Sequence, residues 1–142
     1  MNIRDIYNTM EYSPAPESPD LANEWLKKHK ANFGLFINGK WHKAKSGKFF
    51  GTKNPATGKK LASISLAGKS DVDSAVSAAK RAFPKWNKLS GHDRARYIYA
   101  LARQLQKHSR LFAVLETLDN GKTIRETRDI DIPLVIRHFY HH

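Results

Sequence analysis

The sequence has no cysteine among its 142 residues. That excludes a disulfide scaffold, a thiolate zinc site and a thiol nucleophile within these residues. No apolar run approaches the roughly 20 residues that span a bilayer, and Met1-Asn2-Ile3-Arg4-Asp5 lacks the layout of a signal peptide. Phosphate-cradling glycine loops are missing too. The eight glycines, at 34, 39, 47, 51, 58, 68, 91 and 121, fit neither G-x-G-x-x-G nor G-x-x-x-x-G-K-[ST]. No H-E-x-x-H and no G-x-S-x-G elbow occurs. Against these absences, hydrophobic residues at 40% and aromatics at 11% are too rich for a disordered chain, so a buried core is expected. A soluble, cytoplasmic protein of one domain, or part of a larger one, is the resulting expectation.

Acidic residues are absent from one long stretch. Between Trp25 and Ser70 there are eleven lysines and no Asp or Glu, which supplies most of the net charge of +12. A nucleic-acid or anionic surface is one reading of that stretch. A solvated hairpin face, with lysines guarding sheet edges, is the other. The complete absence of arginine there favours the second, because planar bidentate contacts to phosphates and bases use Arg.

Residues 1–34 read as a leader. Ser13-Pro14-Ala15-Pro16-Glu17-Ser18-Pro19 favours extended chain, and Asp20 is placed to cap a short helix through Trp25 and Leu26. A β region follows. Leu35-Phe36-Ile37 should be a strand turned at Asn38-Gly39, the dipeptide best suited to a type I′ hairpin. Lys40–Ala44 returns, with Trp41 expected to point inward, and Ser46-Gly47-Lys48 marks a turn before the strand Phe49–Thr52. Asn54-Pro55-Ala56-Thr57-Gly58 is a compact turn. Leu61–Leu66 then alternates as a further strand. An antiparallel meander is the expectation.

Helical periodicity begins at Ser70, read as an N-cap with Asp71 and Asp73 in the first turn. Val72, Ala75, Val76, Ala79, Ala82 and Phe83 form one apolar face that Pro84 should end. A second helix follows Ser90-Gly91, with its face at Ile98, Leu101, Ala102 and Leu105. A third runs from Ser109 to a stop at Asn120-Gly121. The fourth carries Ile132, Val135, Ile136, Phe139 and Tyr140, with Pro133 tolerable only in its first turn or at a kink. That helix is still apolar at Tyr140 and no cap follows His142, which predicts a chain that stops within a helix.

No catalytic constellation emerges. His138 and His142 share a helix face at i,i+4 spacing, a geometry able to grip a metal, yet no carboxylate stands on that turn. His92 and Asp93 are placed to cap the second helix. Asp119, Glu126, Asp129 and Asp131 lie among Lys122, Arg125 and Arg128, which reads as surface pairing.

Taken in order, Phe36-Ile37-Asn38-Gly39-Lys40-Trp41, Asn54-Pro55-Ala56-Thr57-Gly58, the run Asp71–Phe83 with Trp86, Arg94, Leu101-Ala102, Leu115–Lys122 and Asp131-Ile132-Pro133 resemble the N-terminal part of the aldehyde dehydrogenase superfamily. The leader Met10–Ser18 is similar to that of the family-16 type. The resemblance implies an α/β fold: antiparallel β-hairpins followed by about four helices, an incomplete N-terminal portion (residues 35–142) of an NAD(P)-binding domain. Family members oxidise aldehydes to carboxylic acids with NAD or NADP, through a cysteine thiolate and a glutamate that activates water.

The resemblance places no catalytic and no cofactor-binding residue on this sequence, since the family's nucleophile, base, oxyanion asparagine and cofactor motifs lie beyond His142. It does place a monovalent cation site at Thr52, Lys53 (main chain) and Asp119; a cap or salt bridge at Asp119 is the alternative. It further implies an aldehyde substrate and a homo-oligomer for the complete enzyme, and neither membrane nor nucleic acid as partner. For this chain alone it implies no bound cofactor and no turnover. Two readings of other classes stay open: a basic binding module for nucleic acid or anionic surfaces, and an assembly fragment that joins full-length subunits.

Overall fold

A computed structural model describes residues 17–141. Residues 1–16, and with them most of the family-16-like segment, lie outside the described residues, as does His142. Helix α1 spans Asp20–Lys28. Its N-cap is Pro19 and not Asp20, which sits in the first turn with its N–H donating to Ser18 Oγ at 3.2 Å. After α1 the chain reverses through Lys30 and Ala31, both at positive φ.

Five strands follow: β1 (Asn32–Phe33), β2 (Leu35–Ile37), β3 (Lys40–His42), β4 (Phe49–Lys53) and β5 (Lys60–Ser65). They form no single meander. β5 is central, with β4 antiparallel on one side and β1 parallel on the other, while β2 and β3 make a separate hairpin. The sequence reading missed β1 because two residues carry no periodicity. Its register, Asn32 opposite Ser63 and Phe33 opposite Ile64, is fixed by a distant strand. The β2–β3 turn is as expected, with Asn38 at φ 52° and Gly39 at φ 74°. Trp41 corrects another expectation: it is 68% exposed and its ring lies tilted against Phe36, opposite it in the ladder, at 5.2 Å. Gly34 is obligatory, because a Cβ there would lie 2.5 Å from the His42 carbonyl oxygen.

Helix α2 (Lys69–Lys88) starts earlier and ends later than periodicity suggests. Its N-cap is Gly68, not Ser70. Asp71, at the third position, reaches back so that its carboxylate accepts from Gly68 N at 2.9 Å and from Lys45 N at 3.1 Å. A glycine cap can serve because this carboxylate supplies the acceptor. Pro84 does not end α2, which continues for another turn; Trp86 in that turn meets Tyr97 of the next helix at 5.8 Å. The Val72–Phe83 face is not buried: Val72 is 54%, Val76 48% and Phe83 60% exposed, and the buried positions are Asp71 and Ala78.

Helix α3 (Gly91–Lys107) is capped by Ser90, whose Oγ accepts from Asp93 N at 3.1 Å. Helix α4 (Ser109–Asn120) stops at Gly121, φ 82°. One turn, α5 (Ile124–Glu126), leads through a π-helical turn (Thr127–Asp131) into α6 (Ile132–His141). The π turn places Pro133, which lacks an N–H, at the second position of α6.

The core lies where α3, α4 and α6 meet, around Ala102, Ala113, Ile132 and Ile136, with Leu105, Ile124 and Phe139 packed against them. Only part of each expected face is covered: Leu101, Val135 and Tyr140 remain exposed. Among the described residues, no helix is long and apolar enough to cross a membrane.

Candidate cation-binding site

The site is built where the end of β4 meets the end of α4. β4 and β5 shift register between Thr52 and Lys53, and the turn after them is closed by Gly58 N donating to Asn54 O at 2.8 Å. Gly58, at φ 67°, takes the left-handed conformation that this turn needs. The other half is the α4 stop. Gly121 brings its backbone against the first turn so closely that a Cβ would lie 2.8 Å from Pro55 Cγ. Two turns distant in sequence are thereby held face to face.

Their contact puts Thr52 Oγ1 in a hydrogen bond to Asp119 Oδ1. These two side chains also form the polar edge of a cavity of about 300 Å³ whose apolar wall includes Trp25, Leu26, Phe33, Leu61 and Leu118. The structure therefore brings together Thr52 and Asp119, two of the three residues singled out by resemblance, with Lys53 next in the chain. The Asp119 carboxylate and the Thr52 hydroxyl are hard oxygen donors with a single negative charge, of the kind suited to a monovalent cation. Among the described residues no group of three His, Cys, Asp or Glu side chains is placed to hold a metal.

Glu126, Asp129 and Asp131 form ion pairs. Lys122 Nζ lies 2.7 Å from Asp131 Oδ2 and 3.6 Å from Glu126 Oε1, and the hydrogen bond to Asp131 raises the Lys122 pKa. Arg128 grips Asp129 through two nitrogens, at 2.6 and 2.8 Å, and Glu17 at 2.8 Å. It holds both carboxyls below the usual range through those hydrogen bonds. The Glu17 contact has no sequence signal, since nothing local links residues 17 and 128. His138 and His141 form no described metal cluster, and His142 lies outside the described residues. The cap of α3 is Ser90 and neither His92 nor Asp93: Asp93 stands in the first turn, where its Oδ2 accepts from Ser90 Oγ at 2.7 Å, and His92 is exposed beside it.

Sequence reasoning also missed Thr127. It is fully buried in the π turn, its Oγ1 2.9 Å from Thr117 Oγ1 and 3.2 Å from the Ile124 carbonyl.

The sequence profile of the aldehyde dehydrogenase family matches residues 41–142. Among solved structures, the NAD+ complex of an aldehyde dehydrogenase from Bacillus cereus is 34% identical with a TM-score of 0.76, over 93% of this chain and 26% of that one. HpcC from Thermus thermophilus is 30% identical with a TM-score of 0.80, over 87% and 24%. PnpE from Pseudomonas sp. WBC-3 is 35% identical with a TM-score of 0.75, over 78% and 23%. The chain thus spans about a quarter of the length of the solved structures it matches.

Proposed function

The chain belongs to the aldehyde dehydrogenase family, and from that premise we propose that it supplies N-terminal scaffold to an NAD(P)-dependent aldehyde dehydrogenase and turns over no aldehyde by itself. The observation that carries this reading is the family match across residues 41–142 of a sequence without cysteine. Thiolate attack on an aldehyde needs a sulfur that these residues lack. A dinucleotide needs a glycine-rich turn at a helix N-terminus, and no three glycines here have the G-x-G-x-x-G spacing. No catalytic step is therefore assigned to this chain. NAD or NADP, a cytoplasmic setting, an aldehyde substrate and a homo-oligomer belong to the complete enzyme.

What these residues do is hold geometry. The Gly121–Pro55 contact and the Thr52–Asp119 hydrogen bond lock the sheet to α4. Thr52 Oγ1, the Lys53 carbonyl and Asp119 would together hold a monovalent cation, which would neutralise the carboxylate and tighten that junction. The test is an assay of the purified chain with short and long aldehydes and either NAD or NADP, following nicotinamide reduction. The expected result is no aldehyde-dependent signal; measurable turnover overturns the reading.

A further inference from the structure

We infer that the aromatic recess between α1 and the β2–β3 hairpin binds single-stranded nucleic acid, a role separate from the scaffold. Five rings run together there. Trp25 meets His29 at 4.3 Å and stacks on Phe33 at 5.3 Å, with the two planes 12° apart. Trp41 joins these three in lining a cavity of about 300 Å³, with Asn32 and Gly34. Phe36 continues the run beyond Trp41, its ring 5.2 Å away. Trp41 and Phe36 are 68% and 62% exposed, which leaves ring surface open to a planar ligand.

The recess lies within the lysine-rich stretch. Lys28 and Lys30 flank His29 in the chain, and Lys43 follows Trp41 by two positions; all three are exposed. Of the eleven lysines between Trp25 and Ser70, Lys69 alone forms an ion pair among the described residues, with Asp73. Glu24, the nearest acid in the chain, stands about 100° round α1 from Trp25. Uncompensated positive charge beside open aromatic faces is the chemistry that holds a single strand: lysines follow the phosphates while bases stack on the rings. A duplex keeps its bases stacked on one another and offers the rings none. The lack of arginine fits as well, because forked contacts read bases, and a strand held by stacking needs no reading. An anionic membrane is the competing polyanion. It suits the recess less, since the Trp25–Phe33 stack is half-buried and the polar His29 and Asn32 share its wall.

The experiment titrates the purified chain into fluorescein-labelled oligothymidylate, its duplex with oligoadenylate, and vesicles of phosphatidylcholine with phosphatidylserine. Binding is read by anisotropy, by quenching of tryptophan fluorescence and, for vesicles, by co-sedimentation. The expected result is a preference for the single strand over the duplex. With three phosphates engaged, affinity should fall about 20-fold between about 50 and about 200 mM salt. Trp41→Ala should lower affinity at least about fivefold and leave the salt dependence in place, while Trp41→Phe keeps most of the affinity. Lys30→Gln with Lys43→Gln should lower both affinity and salt dependence. Lys85→Gln with Lys88→Gln removes the same charge from the end of α2 and should change affinity less than about twofold. All these positions are exposed, and circular dichroism checks that each variant keeps the native spectrum. The inference is overturned by any of four results: no binding of the single strand at low salt, an equal or tighter hold on the duplex, a loss that follows charge alone with Trp41→Ala silent, or binding of the vesicles only.

Discussion

Thr52 Oγ1 donates a hydrogen bond to Asp119 Oδ1, joining the last turn of α4 to the end of β4 across 67 positions of sequence. If the pair holds a monovalent cation, K+ or Na+ should stabilise the fold relative to choline at equal ionic strength, because an ion bound only by the native state raises its stability. Asp119→Asn should remove that difference while leaving the choline midpoint nearly in place. Thermal midpoints in matched chloride salts decide it; identical midpoints in all three salts for the native chain would count against the cation.

Gly121→Ala should cost about 1–3 kcal/mol, since the new methyl group meets Pro55 and the left-handed backbone is strained at the same time. Adding Pro55→Ala should recover only the steric part, because the φ of 82° persists. Urea midpoints of the two single variants and the double variant separate the two effects.

The Thr117–Thr127 pair should behave asymmetrically. Thr127→Val leaves the Thr117 hydroxyl without its partner and should cost about 1–3 kcal/mol. Replacing both by Val should cost less than the two single changes together, because no orphaned hydroxyl remains. Strictly additive losses would show that the two hydroxyls do not depend on each other.

Asp71 should tie stability to acid pH. Its pKa is lowered by the hydrogen bonds from Gly68 N and then Lys45 N. A folded-state pKa below the unfolded value gives stability that is present above about pH 3.9 and lost as the pH falls through the folded value. Asp71→Asn should flatten that acid limb. Denaturation midpoints between neutral pH and the acid limb test it, and parallel curves for the two proteins would refute it.

Local chemistry was the legible part of this fold. Asn38-Gly39 and Gly121 each announce a turn or a stop through backbone preferences that need no distant partner. Pro84 misled because proline forfeits one hydrogen bond, and a helix end anchored by Trp86 on Tyr97 tolerates that loss. Trp41 and the Val72–Phe83 face of α2 misled for a different reason. Periodicity shows which side of an element is apolar, but not whether these residues also provide its cover. At the candidate site the turns around Pro55 and Gly121 were each readable. Their meeting, which brings Thr52 to Asp119, came from family resemblance and not from any local pattern.

The make-up of the core has a last consequence. Among the described residues, the buried apolar ones are mostly alanines, and the largest side chain wholly withdrawn from water is Thr127. Large side chains such as Trp41, Phe83 and Tyr97 are already more than half exposed in the folded chain. Unfolding therefore wets little new apolar surface. The heat-capacity increment should fall below the usual 12–15 cal/mol/K per residue, and the urea transition should be broad, with a shallow slope for the chain's length. A folded chain of this kind should melt gradually.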